Sequence, residues 1–174
     1  VGFNFFDPLT AVAADYPDTK FAIIDSVVEA DNVASITFAE EQGSYLVGAI
    51  AAQSTQSDTI GFVGGVETDL IKKFEAGYAA GALAVNPDIE ILVNYISQPP
   101  DFSGFSDPAR GKEIAASQYE AGADVIYSAA GGSGLGAFEA AAEAGAPGEV
   151  WAIGVDSDQY NLVSEELQPY ILTS

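Results

Sequence analysis

The stretch from Asp124 to Asp158 constrains the fold most, because it has the pattern of a strand, a glycine-rich turn, a helix, a second strand and a carboxylate. Residues 125–130 form a short, mostly apolar run, which is typical of a buried parallel strand. The four glycines between 131 and 136 let the backbone turn tightly and come close to a ligand. Asp156 follows the next apolar run, and open α/β sheets bind ligands at the carboxyl ends of their strands. The pattern therefore predicts an α/β fold with a ligand site at this edge.

Apolar runs and helical patterns alternate along the whole chain, which predicts parallel sheets flanked by helices and joined by right-handed crossovers. The predicted strands are 1–5, 20–25, 34–38, 59–63, 89–96, 124–129, 151–155 and 170–173. The predicted helices are 8–15, 40–53, 69–86, 108–121, 134–144 and 158–167. Thr68 and Asp107 are expected to cap two of these helices. A small polar stretch at 54–58 separates two strand–helix series and is a candidate linker.

The charge of the chain limits its partners. It carries 26 acidic and 5 basic residues, a net charge of −21, so its field repels nucleic acid and anionic lipid. The chain has no cysteine and no histidine, which excludes disulfides, thiol nucleophiles, Ser–His triads and the usual zinc sites. We therefore expect no metal site and no nucleic-acid partner, and an enzyme becomes a weaker hypothesis.

The glycine-rich turn supports two interpretations from the residues alone. Residues 132–137 match the dinucleotide fingerprint, and Asp156 stands about 20 residues further on, so an NAD(P)-binding enzyme is one hypothesis. The other is a small polar ligand in a cleft. In that case Phe105 would offer an aromatic face, the amides of 131–133 would donate hydrogen bonds, and Asp156 would accept them from vicinal hydroxyls. A third hypothesis is the effector-sensing domain of a regulator.

Several segments, in order along nearly the whole chain, resemble the basic membrane protein family of substrate-binding lipoproteins, which includes purine nucleoside receptors of ABC importers. The sharpest matches are Ala-Gly-Gly-Ser-Gly-Leu-Gly at 130–136 and Ile-Gly-Val-Asp-Ser-Asp-Gln at 153–159. Further matching segments are 16–25, 32–48, 60–65, 74–78, 86–88, 105–108, 111–113 and 122–126.

The resemblance implies a type I periplasmic-binding-protein-like fold, with two lobes around a cleft and the first lobe incomplete in this chain. Residues 1–57 would be a partial N-terminal lobe and residues 58–168 the C-terminal lobe. Residues 169–174 would be a strand that returns to the N-terminal lobe. The family's second stacking ring and its lipid-bearing cysteine are expected upstream of Val1, and a binding lysine is expected beyond Ser174.

The same resemblance implies an extracytoplasmic solute-binding component of an ABC importer, without enzymatic activity or a cofactor. The implied ligand is a purine nucleoside, the implied partner is the transporter permease, and a lipid anchor would hold the full-length protein at the cell membrane. Phe105 would stack on the base, Gly131 and Gly132 would contact the sugar through the backbone, and Asp156 would bind ribose hydroxyls. Asn4, at the carboxyl end of the predicted first strand, is a weaker candidate for the cleft.

Overall fold

The computed structural model describes all residues from Val1 to Ser174, and its contacts divide the chain into two compact units. The first unit is Val1–Ala39 and the second is Glu40–Ser174. Helices and strands alternate through most of the second unit, as the periodicity of the sequence predicts, whereas the two strands of the first unit follow each other directly. None of the helices combines the length and the apolar character that crossing a bilayer requires.

The first unit is a small α/β layer. Its elements are a 3-10 turn at Phe3–Phe5, helix α1 at Phe6–Asp15, and the parallel strands β1 at Phe21–Ile24 and β2 at Val33–Ile36. Leu9, Ile23 and Val28 form its core. The buried side-chain amide of Asn32 donates to the carbonyl oxygens of Ala13, Tyr16 and Thr19, each at 3.0 Å, which fixes the chain after α1.

The predicted strand at residues 1–5 is wrong. Gly2 forms a single bridge to Ile24, and the main chain of Val1 bonds to Ala22 and Ile24 of β1, but the pairing goes no further as a strand. The amide of Phe5 donates to the carbonyl oxygen of Gly2 at 3.0 Å, and the amide of Phe6 donates to that of Phe3. These local bonds close a 3-10 turn that runs directly into α1, so the apolar residues 3–6 follow a helical path instead of an extended one.

The second unit is a five-stranded, wholly parallel sheet with helices on both faces. Its helices are α2 at Glu40–Ser54, α3 at Asp69–Val85, α4 at Pro108–Glu120 and α5 at Leu135–Ala144. Its strands are β3 at Thr59–Val66, β4 at Glu90–Ser97, β5 at Val125–Ala129, β6 at Trp151–Ile153 and β7 at Ile171–Thr173. The sheet order is β4-β3-β5-β6-β7. The sequence prediction of parallel sheets flanked by helices is confirmed.

The alternation of side chains along the strands builds two cores. Val125 and Tyr127 of β5 pack with residues of α2 and α3, whereas Ile126 packs with residues of α4 and α5.

Both predicted helix caps are present. Thr68 Oγ1 accepts from the amide of Ile71 at 3.4 Å, and Asp107 Oδ1 accepts from the amide of Arg110 at 3.0 Å.

The helix predicted at residues 158–167 is absent. Two short 3-10 turns, Tyr160–Leu162 and Gln168–Tyr170, lie in and beside this stretch. Asp158 Oδ1 accepts from the amide of Tyr160 at 3.0 Å, a local side-chain bond that competes with helix formation. Val163 is extended, with φ −108° and ψ 164°, which ends the first turn.

The two compact units are a division of this chain alone, whereas the lobes expected from sequence belong to the complete protein. Helix α2 lies in the second unit, and the boundary between the units follows Ala39. Strand β7 hydrogen-bonds to β6 within the five-stranded sheet, whereas the sequence placed residues 169–174 with the N-terminal lobe. How the lobes of the complete protein are divided stays a prediction.

Candidate functional site

The candidate site lies at one edge of the five-stranded sheet. Because all five strands are parallel, their carboxyl ends share this edge, and the segments that follow β4, β5 and β6 leave from it. Phe105 lies after β4, Gly131 and Gly132 lie after β5, and Asp156 lies after β6. Four of the five residues predicted from sequence are therefore carried by connections that leave the same edge of one sheet.

Phe105 and the glycine turn are in direct contact. A Cβ atom at Gly131 or Gly132 would lie 3.3 Å from the carbonyl oxygen of Phe105. Phe105 itself is half-buried at the end of a 3-10 turn, Ser103–Phe105, and its ring packs partly against the core on the α2–α3 side. The structure thus brings together an aromatic ring and a bare stretch of main chain.

The glycine turn is a 3-10 turn, Gly131–Gly134, that leads into α5. Gly131 has φ +54°, a conformation that strains other residues. Gly131 and Gly132 are exposed, and the first amides of such a turn have no partner within it. The buried Ser133 Oγ accepts from the amide of Asp107 at 2.7 Å, which ties the turn to the start of α4. The turn can therefore offer backbone donors from a fixed position.

Asp156 is the carboxylate of this edge. It has φ +65° and is exposed, yet protein atoms crowd its carboxyl group, and this partial desolvation raises the pKa of Asp156 above its usual value. Burial raises the pKa of the Tyr127 hydroxyl to about 12, and the nearby charge of Asp156 adds to that rise. The two acceptor oxygens of Asp156 suit a pair of hydroxyl groups.

Asn4 belongs to the chain's first unit, whereas the other four residues belong to the second. It is exposed within the 3-10 turn Phe3–Phe5 and does not follow a strand, so its role stays a prediction.

Asp25 is the residue of the first unit that resembles Asp156. It follows β1 directly, has φ +62°, and donates its amide to the carbonyl oxygen of Ile36 at 2.8 Å.

Two glycines of the segment 132–137 that matches the dinucleotide fingerprint, Gly134 and Gly136, pack against other parts of the protein. A Cβ atom at Gly136 would lie 2.0 Å from the carbonyl oxygen of Pro108, so this glycine lets α5 pack against α4. Gly134 is buried, and a Cβ there would lie 3.3 Å from Cβ of Ser128. Only Gly131 and Gly132 stay exposed to a ligand, which weakens the NAD(P) hypothesis.

Sequence reasoning missed Gly65. This residue stands near the end of β3, and a Cβ atom there would lie 2.4 Å from Cδ1 of the Phe105 ring. The double glycine at the end of the apolar run Gly-Phe-Val-Gly-Gly, residues 61–65, was the available signal. A glycine late in a strand often marks a close approach of another group.

A parallel sheet covered on both faces, with a glycine turn and a carboxylate at its carboxyl edge, is the architecture that this chain shares with periplasmic solute-binding proteins of type I-like fold. A solute-binding protein of an ABC transporter system from Aeropyrum pernix superposes with a TM-score of 0.83 at 34% identity. The match covers 93% of this chain and 47% of that one. A periplasmic solute-binding protein from Actinobacillus succinogenes with bound D-allose, at a TM-score of 0.64 and 18% identity, shares the fold.

The chain belongs to the Bmp family, described as ABC transporter substrate-binding protein PnrA-like, whose profile matches residues 1–174. The resemblance found in the sequence is thereby confirmed. A relative from Lactococcus lactis, an ABC transporter nucleoside-binding protein BmpA, is 44% identical over 91% of this chain and 45% of its own length. Basic membrane protein A of Borreliella afzelii is 39% identical over 91% and 48%, respectively. The chain thus spans a little under half the length of these relatives.

Proposed function

We propose that this chain is part of the extracytoplasmic solute-binding component of an ABC importer, and that the complete protein binds a purine nucleoside between its two lobes. The observation that carries the proposal is the contact of Phe105 with the exposed glycine turn, at the sheet edge where Asp156 stands. The family and the name of the Lactococcus lactis relative support this ligand class.

Each group at the edge has a role that its chemistry suits. The Phe105 ring stacks on the flat base, an interaction worth roughly 1–3 kcal/mol for a base on an aromatic side chain. Amides of Gly131 and Gly132 donate to oxygen atoms of the sugar. The ionised Asp156 accepts hydrogen bonds from two ribose hydroxyls, and bonds to a charged acceptor are stronger than neutral ones.

These groups bind a ligand without transforming it. A ring, backbone donors and one carboxylate hold a nucleoside, and no cofactor is needed for that task. Binding energy that favours the closed arrangement of the lobes would shift the protein toward it, and the closed form would dock on the permease. A lipid anchor outside this chain would keep the protein at the membrane surface.

Calorimetric titration of the complete protein with inosine, guanosine and adenosine tests the proposal. We expect binding of at least one nucleoside, and weaker binding of free ribose, because ribose lacks the stacked base. The absence of heat and of a thermal shift with all three nucleosides would overturn the proposal. Enhanced NADH fluorescence in place of nucleoside binding would favour a cofactor site instead.

A further inference from the structure

Gly65 lies directly against the ring of Phe105. A Cβ atom at Gly65 would stand 2.4 Å from Cδ1 and 2.6 Å from Cε1 of that ring, and 3.2 Å from Cα of Ala130. Atoms that are not bonded do not approach so closely in packed proteins, where carbon contacts lie near 3.5–4.0 Å. Any side chain at position 65 must therefore displace the ring.

The main chain around Phe105 cannot move aside as easily as the ring. A Cβ at Gly104 would lie 2.0 Å from the carbonyl oxygen of Gly65, so the two backbones already touch. The amide of Gly104 donates to Ser97 Oγ at 3.3 Å, which holds the turn to the end of β4. On its other side the Phe105 carbonyl faces the glycine turn. The displacement would accordingly fall on the side chain of Phe105.

We propose that Gly65 is a positioning residue for the ligand, and that it acts through Phe105. The inference rests on the proposed function, because it assigns Gly65 to the same site. The absence of a side chain at position 65 lets one edge of the Phe105 ring pack against β3, and this contact holds the ring where it stacks on the base. Restricting the ring in this way lowers the ordering cost of ligand binding.

Gly64 provides a matched control on the same strand. Successive residues of a strand point to opposite sides, and a Cβ at Gly64 would lie 2.5 Å from both Cδ1 and Cε1 of Tyr95. The overlap has nearly the same size as at Gly65 and also involves a ring, but the ring belongs to β4. Gly64→Ala therefore reproduces the packing damage without touching Phe105.

A double-mutant cycle in the complete protein tests the proposal. We expect Gly65→Ala to weaken affinity for the tightest-binding nucleoside by about 5- to 150-fold, the range that corresponds to loss of one stacking contact. Phe105→Ala should cause a similar loss, and adding Gly65→Ala to it should change the affinity less than about twofold, because coupled residues are not additive. Gly64→Ala should lower the melting temperature and leave the affinity within about twofold.

Melting temperatures give a readout that needs no ligand. Gly65→Ala should lower the melting temperature, and the double variant should recover part of it, because removal of the ring makes room for the new methyl group. If Gly65→Ala alone does not fold, folding of the double variant supports the proposal, and failure of both overturns it. Unchanged affinity of Gly65→Ala, or losses that simply add, would also overturn it. If the unmodified protein binds no nucleoside, the proposed function fails, while recovery on melting still decides whether Gly65 positions Phe105.

Discussion

At the scale of single residues, Asp156 combines an unusual backbone with a perturbed carboxyl group. Its φ of +65° lies in the left-handed region, which aspartate and asparagine tolerate better than most residues. Crowding by protein atoms raises the pKa of its carboxyl group above the usual value. Strain and a desolvated charge both cost stability, and such costs concentrate at sites that serve a ligand.

Asp156→Asn should separate binding from stability. Asparagine keeps the backbone conformation but supplies no charge, so we expect at least a tenfold loss of nucleoside affinity in calorimetric titration. The ligand-free variant should melt at a slightly higher temperature than the unmodified protein at neutral pH, because a crowded charge is removed. Asp158→Asn, two residues further along the same loop, is the matched control and should leave the affinity unchanged. Equal affinity of Asp156→Asn and the unmodified protein would remove Asp156 from the site.

The pH dependence follows from the same raised pKa. A carboxyl group with a raised pKa binds its proton more tightly in the folded protein than in the unfolded chain. The contribution of Asp156 to stability is therefore most favourable while it is protonated, and it is lost as pH rises through the window from the usual to the raised pKa. Nucleoside affinity should change in the opposite direction. It should weaken as pH falls through the raised pKa, because protonation removes the charge of the acceptor. Melting and titration from below the usual aspartate pKa of about 3.9 up to neutral pH, compared with Asp156→Asn, measure both trends.

At the scale of elements, the polar stretch at 54–58 is held in place by a buried carboxylate. Asp124, at the start of β5, accepts hydrogen bonds from Thr55 Oγ1, from the amide of Gln56 at 2.6 Å and from the amide of Ser57 at 2.9 Å. Composition predicted a linker there, since small polar residues are typical of one. The tertiary contact makes the stretch a fixed connection between α2 and β3, which no local pattern in the sequence reveals.

Asp124→Ala should destabilise the second unit. Alanine supplies no acceptor, so the amides of Gln56 and Ser57 and the hydroxyl of Thr55 all lose their partner. We expect the free energy of unfolding in urea to fall by about 2–4 kcal/mol. Asp88→Ala, at an exposed aspartate, is the control and should change it by less than about 0.5 kcal/mol. A loss no larger than in this control would show that the contacts of Asp124 do not hold the connection.

The packing of α2 on α3 depends on glycine at their interface. A Cβ at Gly48 would lie 1.9 Å from the carbonyl oxygen of Tyr78 and 3.0 Å from the amide nitrogen of Ala82, so the two backbones touch. Gly43 stands on the same helix with no atom within 4 Å of its Cβ position. The sequence shows both glycines in a helical pattern, but only the structure distinguishes the buried one from the exposed one.

Substitution of these two glycines should give effects of opposite sign. Gly48→Ala should lower the free energy of unfolding by about 1–3 kcal/mol or more, because the overlap is with main-chain atoms. Gly43→Ala should raise it by up to about 1 kcal/mol, since alanine favours a helix more than glycine does. Chemical denaturation of the two variants measures the difference. Equal effects at the two positions would contradict the close approach of α2 and α3.

At the scale of the whole molecule, the main feature is the excess of negative charge. Only three of the five basic residues form ion pairs: Lys72 with Glu67, Lys73 with Glu40, and Lys112 with both Glu139 and Glu143. Most of the 26 acidic residues therefore have no cationic partner. Repulsion among these carboxylates opposes the compact state.

Added sodium chloride should raise the melting temperature. Screening shortens the Debye length from about 10 Å at 0.1 M to about 3 Å at 1 M salt, so repulsion between exposed carboxylates weakens. Thermal melts across this range measure the gain. A variant with Glu165→Gln and Glu166→Gln, both at exposed positions, should melt higher at low salt and respond less to added salt. A melting temperature that is flat or falls with salt would contradict this account.

The sequence by itself determined the α/β class, most of the strands and helices, and the place of Asp156 and the glycine turn at strand ends. These features are local, because periodicity, caps and turn residues act over a few positions. The sequence failed at residues 1–5 and 158–167, where main-chain and side-chain bonds of nearby residues close 3-10 turns.

Only the tertiary structure decided which distant segments meet. The ring of Phe105 rests on Gly65, forty positions earlier in the chain, and its carbonyl faces Gly131 and Gly132. Strand β7 pairs with β6, and α2 packs along α3 in the second unit. Such contacts depend on how all the elements pack on both faces of the sheet. The residues of a short segment do not determine that packing.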